Sequence, residues 1–264
     1  MEKKKGPKIA TEAKPLSAVS RTFIILEKLS LVSSSSLEDL SRLTKLAKPT
    51  VYRFLLTLRQ LGYVRKGEGD RWFLTMKLFA LGSRALDHIE IPQVARPLAE
   101  QLSNDLGETV HLGILDDDQA LYVLKIESKY NIRMYSRVGK RVPLYCTAMG
   151  KILLADMGEE ERNPHLKNLK LVPFTPHTIR DKDELLRELE RVRQRGYSMD
   201  LEEHEEGIIC LAAGIRDYSG KTIAALSVSW PKFRYDAAQE GAYSQRIQAT
   251  AAELSSILGA SRPA

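Results

Sequence analysis

Residues 37–74 (LEDLSRLTKLAKPTVYRFLLTLRQLGYVRKGEGDRWFL) constrain the fold more than any other stretch: two short amphipathic helical patterns run directly into a charged hairpin. Leu37, Leu40 and Leu43 form the first apolar stripe; Val51, Phe54, Leu55 and Leu58, closed by Leu61, form the second. The i, i+3, i+4, i+7 spacing places each set on one helix face. A core built on those stripes leaves Lys48, Thr50, Tyr52, Arg53 and Thr57 on the other side of the second helix. A small, basic face of that kind suits entry into a DNA major groove. The strands predicted on either side of Lys66-Gly67-Glu68-Gly69-Asp70 make a wing. The segment predicts a winged helix-turn-helix with double-stranded DNA as its partner.

Neighbouring residues fit that prediction. Residues 17–31 (SAVSRTFIILEKLSL) predict a preceding helix with Val19, Phe23, Ile24 and Leu26 toward the core. Ser36 suits an N-cap, with Asp39 three residues on completing a capping-box-like pair. Pro49 suits the first turn of the recognition helix, where a missing N–H costs nothing. Arg53 has the fork geometry for a guanine edge. Arg65, Lys66 and Arg71 in the wing suit phosphate contacts, which position a protein without reading sequence. Tyr52 is open between a DNA contact and packing on the scaffold helix.

Charge separates the chain into two parts. Residues 1–89 hold 17 Lys/Arg against 8 Asp/Glu, a net +9, and the remainder is −3. Only the first third is therefore expected to meet a polyanion. A length of 264 residues accommodates two domains at roughly 100–200 residues each. The charged, aperiodic residues 1–15 predict a disordered basic arm, and residues 16–75 the winged helix. No apolar run approaches the roughly 20 residues of a membrane span. The charged N-terminus is unlike a signal peptide, and two cysteines are no disulfide framework. A cytoplasmic protein is expected.

Residues 76–90 predict a linker helix, and 91–264 a second domain that opens with a helix from about Pro92 to Gly107. Alternation then takes over. Val110, Leu112 and Ile114, and after the turn at Asp116-Asp117-Asp118 the set Ala120, Tyr122, Leu124 and Ile126, predict two strands. Residues 132–138 predict a third strand, 147–157 a helix, 181–195 a long charged helix, and 234–258 a closing helix. Apolar strands are predicted at 208–215 and 222–230, joined by Asp217-Tyr218-Ser219-Gly220. A mostly antiparallel sheet flanked by helices makes this domain α+β.

A ligand site can be argued from these elements. The helix start at Thr147-Ala148-Met149-Gly150 offers free backbone amides, and small residues there let an anion approach. Ser227 and Ser229 alternate within an apolar strand, so they share one face; their hydroxyls need either a ligand or neighbouring backbone. Asp200 either joins that site or caps a turn. Cys210, in an apolar strand, suits a small buried hydrophobe.

Five segments, PTVYRFLLTLRQLGYV, GETVHLGILD, RMYSRVGKRVPLYCTAMGKILLA, DLEEHEEGIICLA and IAALSVS, stand in the order and spacing of the IclR family of bacterial transcription regulators. The resemblance covers about residues 17–260. KYNIRMYSRVGKRVPLY and EEHEEGIICLA resemble in particular the subgroup responding to 2-keto-3-deoxygluconate. It implies a winged helix, a dimerising linker helix and a GAF-like α+β effector domain in a homodimer or tetramer. It implies effector contacts by Met134, Val142, Leu144, Ala148, Met149, Asp200, Cys210, Ser227 and Ser229, to which the helix-start argument adds Gly150. Pro49 departs from the Ser common there, removing a hydroxyl and an amide as phosphate donors. Met149 is bulkier than the residues often found at its position.

The expected function is thus regulation of sugar-acid catabolic genes, as a repressor on a pseudo-palindromic operator, with a keto-acid or sugar-acid effector and no cofactor. An activator sensing another acid, for example an aromatic one, is the alternative. An enzyme with an appended DNA-binding domain is a third reading: Cys146, His111 and Asp200 make a triad on paper, and Cys146 precedes a helix N-terminus that lowers thiol pKa values. The run containing Asp200, Glu202, Glu203 and His204 lacks a metal-ligand spacing and reads as a solvated acidic loop.

Overall fold

A computed structural model describes residues 17–78, 80–81, 90–131, 134–167 and 169–260, which fall in two compact units divided before Glu90. The predicted basic arm at 1–15 and residues 82–89 of the predicted linker lie outside the described residues. Among the described residues, no helix is long and apolar enough to cross a membrane.

The first unit is a three-helix winged helix: α1 (Ser17–Ser30), α2 (Leu37–Thr44) and α3 (Lys48–Gln60), then the antiparallel wing β1 (Val64–Lys66) and β2 (Trp72–Leu74). Ser36 caps α2 by accepting the Asp39 amide at 3.1 Å, and its hydroxyl donates to the Asp39 carboxylate at 2.8 Å. Lys45, in the left-handed region, ends α2. Pro49 sits in the first turn of α3, as expected. Leu40, Val51, Leu55, Leu58, Val64 and Trp72 close the core.

The first helix departs from expectation. Ile25, Leu26 and Leu29 are buried, whereas Val19 and Phe23 are about half exposed and Ile24 is also exposed. The helix is apolar on more than one side, and the side that α2 and β2 cover is the one with Ile25 and Leu29. Leu43 and Leu61, at the ends of their stripes, are exposed as well.

The second unit begins with α4 (Ile91–Leu106), which Gly107 ends with φ 76°. Its sheet comprises β3 (Thr109–Asp116), β4 (Gln119–Ile126), β5 (Arg141–Pro143), β6 (Ser198–Leu201), β7 (Ile208–Arg216) and β8 (Thr222–Pro231). All pairings are antiparallel, in the order β5-β4-β3-β8-β7-β6. Helices α5 (Ala148–Asp156), α6 (Glu159–Lys167) and α7 (Lys182–Arg195) lie between β5 and β6 in sequence, and α8 (Glu240–Ile257) follows β8. Helices α4 and α8 pack together and on the sheet, while α5 packs against β6, β7, β8 and α7. This is the expected α+β class.

Two predicted elements need correction. Residues 134–138 are a loop rather than a strand, and Ile132 and Arg133 lie outside the described residues. The Lys125 ammonium donates to the carbonyls of Met134 and Ser136 at 3.0 and 2.8 Å, which takes those carbonyls away from a ladder. The last helix begins at Glu240, not 234. Arg234 is held by a bidentate pair with Glu108, and Asp236 caps a short 3₁₀ turn instead. The strands β5 and β6 and the helix α6 were not anticipated.

Candidate functional site

Two sites stand out, one in each unit. On the first, Tyr52, Arg53 and Thr57 lie on the exposed side of α3, with Thr50 half-buried near its start. The Arg53 guanidinium is engaged by no described residue. Lys48 pairs with Glu38 at 3.0 Å, and the Thr57 hydroxyl donates to the Arg53 carbonyl. Tyr52 packs edge-on against Trp72 of the wing, 6.4 Å between centroids. In the wing, Arg65 stacks over Phe73 at 4.2 Å, and Lys66 pairs with Asp70 at 2.7 Å.

Arg71 is tied down differently. Its Nε and Nη2 donate to the hydroxyl and carbonyl of Ser34 at 2.7 and 2.8 Å, beside the backbone bridge between Ser35 and Trp72. Arg71→Ala should therefore loosen the wing by about 1 kcal/mol, the net worth of such bonds. Arg65→Ala should leave stability near wild type while lowering the salt slope of DNA binding by about 1. Thermal melts and salt-titrated binding of both variants check this.

The second site follows from sheet register. Ser229 lies opposite Cys210, which lies opposite Asp200; one pleat along β3 and β8, His111 lies opposite Ser227. Residues directly opposite share a face, so a polar lane crosses β3, β8, β7 and β6. Alternate residues such as Val110, Leu211 and Val228 are fully buried.

The lane faces a small cavity with about 50 Å³ of free space, room for a few water molecules. Its wall brings together Met134, Ala148, Met149, Asp200, Cys210, Ser227 and Ser229. Val142 and Leu144 lie instead in the apolar core. Gly150 also faces away: a Cβ there would meet the Leu144 backbone, so its small size serves helix packing rather than ligand approach. Sequence reasoning missed His111, Tyr122, Ser136, Lys140, His204 and Glu205 as lining residues. The alternation of His111 with Val110 and Leu112 was the one available signal.

Thr147 caps α5 by accepting the Gly150 amide at 3.1 Å, while its hydroxyl donates to the Pro143 carbonyl. The next two amides, Ala148 and Met149, have no hydrogen-bond partner among the described residues. Free N–H groups at a helix start favour an anion.

Asp200 is both turn cap and cavity wall. Its Oδ1 accepts the amides of Glu203 and His204 at 2.7 and 3.3 Å. Burial lifts its pKa to about 7, helped by the Glu203 charge and opposed by Lys151 and the two amides. A folded carboxyl that keeps its proton above the ordinary 3.8 stabilises the fold at low pH, and that contribution is lost as pH rises from about 4 to about 7. Asp200→Asn keeps the amide acceptor, so melting temperature should vary less with pH across that window than in wild type.

The acidic run is not a solvated loop. Asp200 and Glu203 are buried, Glu203 pairs with the buried ammonium of Lys151, and Glu202 pairs with Lys232. Glu203 is held further through its carbonyl, which accepts the Thr178 hydroxyl at 2.6 Å. The expectation for Cys146 is also reversed. It is fully buried and does not line the cavity; burial, then the Asp200 and Glu203 charges, push its thiol pKa up despite the nearby helix start. His111 is pulled down to about 3 by burial and the Lys125 and Lys140 cations, so it is neutral.

Comparison with known proteins places both units. Residues 18–68 match the IclR helix-turn-helix domain, and residues 83–256 match the C-terminal domain of the bacterial transcriptional regulator IclR. The chain is 41% identical to the HTH-type transcriptional regulator KdgR of Dickeya chrysanthemi, over 92% of this chain and 80% of that one. It is 33% identical to the HTH-type transcriptional repressor AllR of Salmonella typhi, over 96% and 94%. The crystal structure of the Thermotoga maritima IclR superposes with a TM-score of 0.63 at 33% identity, covering 91% of this chain and 98% of that one.

Proposed function

The chain belongs to the IclR family and is a DNA-binding transcriptional regulator; on that premise we propose that it is a cytoplasmic repressor whose C-terminal cavity binds a small keto acid or sugar acid. The observation that carries this reading is the convergence of two free amides, Ala148 and Met149, with the lane of Asp200, Ser227 and Ser229. The amides match a carboxylate. The hydroxyls and Asp200 match hydroxyl groups along the rest of such a molecule. Its target genes, in this reading, serve catabolism of that acid.

Repression is favoured by likeness to a relative named as a repressor. A homodimer or tetramer would present recognition helices in pairs to a pseudo-palindromic operator. In the first unit the readers would be Thr50, Tyr52, Arg53 and Thr57, with Lys48, Arg65, Lys66 and Arg71 toward phosphates. Switching needs differential affinity of the acid for two arrangements of the protein; moving a 1:99 population to 99:1 takes about 5.5 kcal/mol. The present free space is smaller than a six-carbon acid, so such a ligand requires Met149 or the loop at 134–140 to give way. The test is a thermal-shift screen of the full chain against pyruvate, gluconate, 2-keto-3-deoxygluconate and aromatic acids. A shift with a keto or sugar acid that Asp200→Ala with Ser229→Ala removes is expected; a shift persisting in that variant would move the ligand elsewhere.

A further inference from the structure

His111 sits mid-strand in β3, 2% exposed, with its ring stacked on Tyr122 at 4.7 Å between centroids. One ring nitrogen, Nε2, shares a hydrogen bond of 2.7 Å with the Ser136 hydroxyl. The other, Nδ1, is buried without a hydrogen-bond partner among the described residues. Native folds rarely leave such an atom unpaired, because its desolvation is then uncompensated. Two other buried atoms share that state among the described residues, Arg162 Nε and Glu203 Oε2, and neither residue lines the cavity.

We infer that His111 is a specificity-determining residue: the same give that admits the acid uncovers Nδ1, closed off from the cavity in this structure, to hydrogen-bond a hydroxyl group of the ligand, an inference that rests on the cavity being the ligand site. A neutral imidazole presents either an N–H or a lone pair at Nδ1, depending on which way the Ser136 hydroxyl is turned. A carboxylate only accepts, and it gains no charge pairing from a neutral ring. A hydroxyl both donates and accepts, so it matches either tautomer. The carboxylate already has its own partners in the amides of Ala148 and Met149, and Ser227 stands opposite His111 in register to take the same or the next hydroxyl.

Position adds a length requirement. His111 on β3 and Asp200 on β6 are separated by β8 and β7 and by one two-residue step along the strands, so their backbones lie about 16 Å apart along the sheet surface. A chain with several hydroxylated carbons engages both ends of that lane. A three-carbon keto acid engages one.

The experiment uses calorimetric titration of the full chain with pyruvate and with 2-keto-3-deoxygluconate. His111→Phe keeps a ring against Tyr122 and removes both nitrogens. It should weaken binding of the hydroxylated acid by about 10- to 100-fold, with pyruvate within about twofold of wild type. Unchanged binding of the hydroxylated acid by this variant overturns the role of His111 and leaves the cavity reading intact, as does an equal loss for both acids. A wild type that binds no keto or sugar acid overturns the cavity reading and this inference together. Independently of any variant at 111, ¹⁵N-histidine spectra of the wild type, assigned by substituting the other four histidines, should show the Nδ1 resonance of His111 move on saturation with 2-keto-3-deoxygluconate. A stationary Nδ1 resonance with the ligand bound contradicts the inference.

Discussion

Lys151→Ala is expected to destabilise the C-terminal unit by about 3–5 kcal/mol, because it leaves a buried carboxylate without its cation. Lys151 is 1% exposed within α5 and its ammonium meets Glu203 Oε1, while Glu203 Oε2 has no partner among the described residues. The same residue donates its backbone amide to Asp200 and accepts the Thr178 hydroxyl on its carbonyl. Loss of the ammonium therefore strains the turn that shapes one wall of the cavity. Urea unfolding of the purified protein measures the cost, and Lys151→Met with Glu203→Leu should recover much of it, since a well-packed apolar pair often replaces a buried ion pair at little cost. A loss below about 1 kcal/mol for Lys151→Ala would mean that water reaches Glu203.

In the first unit, Arg53→Ala is expected to weaken operator binding by about 5- to 150-fold, the equivalent of 1–3 kcal/mol for one bidentate base contact. Arg53 is exposed on α3 and its guanidinium is free of described partners, so its removal should leave the melting temperature near wild type. Binding to random duplexes should fall less, because phosphate contacts supply the sequence-independent part. Equal losses on operator and random DNA would assign Arg53 to phosphate. No loss on either would remove α3 from the groove.

The winged helix was legible because its core lies in local stripes: Leu40, Val51, Leu55 and Leu58 are buried as their spacing predicts. The orientation of α1 was not legible, because Val19, Phe23 and Ile24 are as apolar as Ile25, Leu26 and Leu29. Only tertiary packing chooses between them. In the second unit, Ser227 and Ser229 were visible as alternation within one strand. His111 joins them through the pairing of β3 with β8, which is information spread over more than a hundred residues. The loop at 134–138 reads as a strand because its residues suit one. A distant side chain, Lys125, decides otherwise by taking the carbonyls of Met134 and Ser136. Asp200 was legible as a candidate, while its burial beside Glu203 and Lys151 was not, since the run DLEEHEE is polar at every position but Leu201.

A small acid in the C-terminal cavity is proposed to change DNA binding by the N-terminal winged helix. The most direct test is fluorescence anisotropy of a duplex selected by the protein from random sequence, titrated with the full chain in the presence and absence of saturating 2-keto-3-deoxygluconate. At least about a tenfold change in apparent Kd is expected for wild type, within the usual 1–3 kcal/mol of coupling. Unchanged DNA affinity and no response are expected for Asp200→Ala with Ser229→Ala. A wild type indifferent to every keto and sugar acid, or a double variant that responds as wild type does, would contradict the proposal.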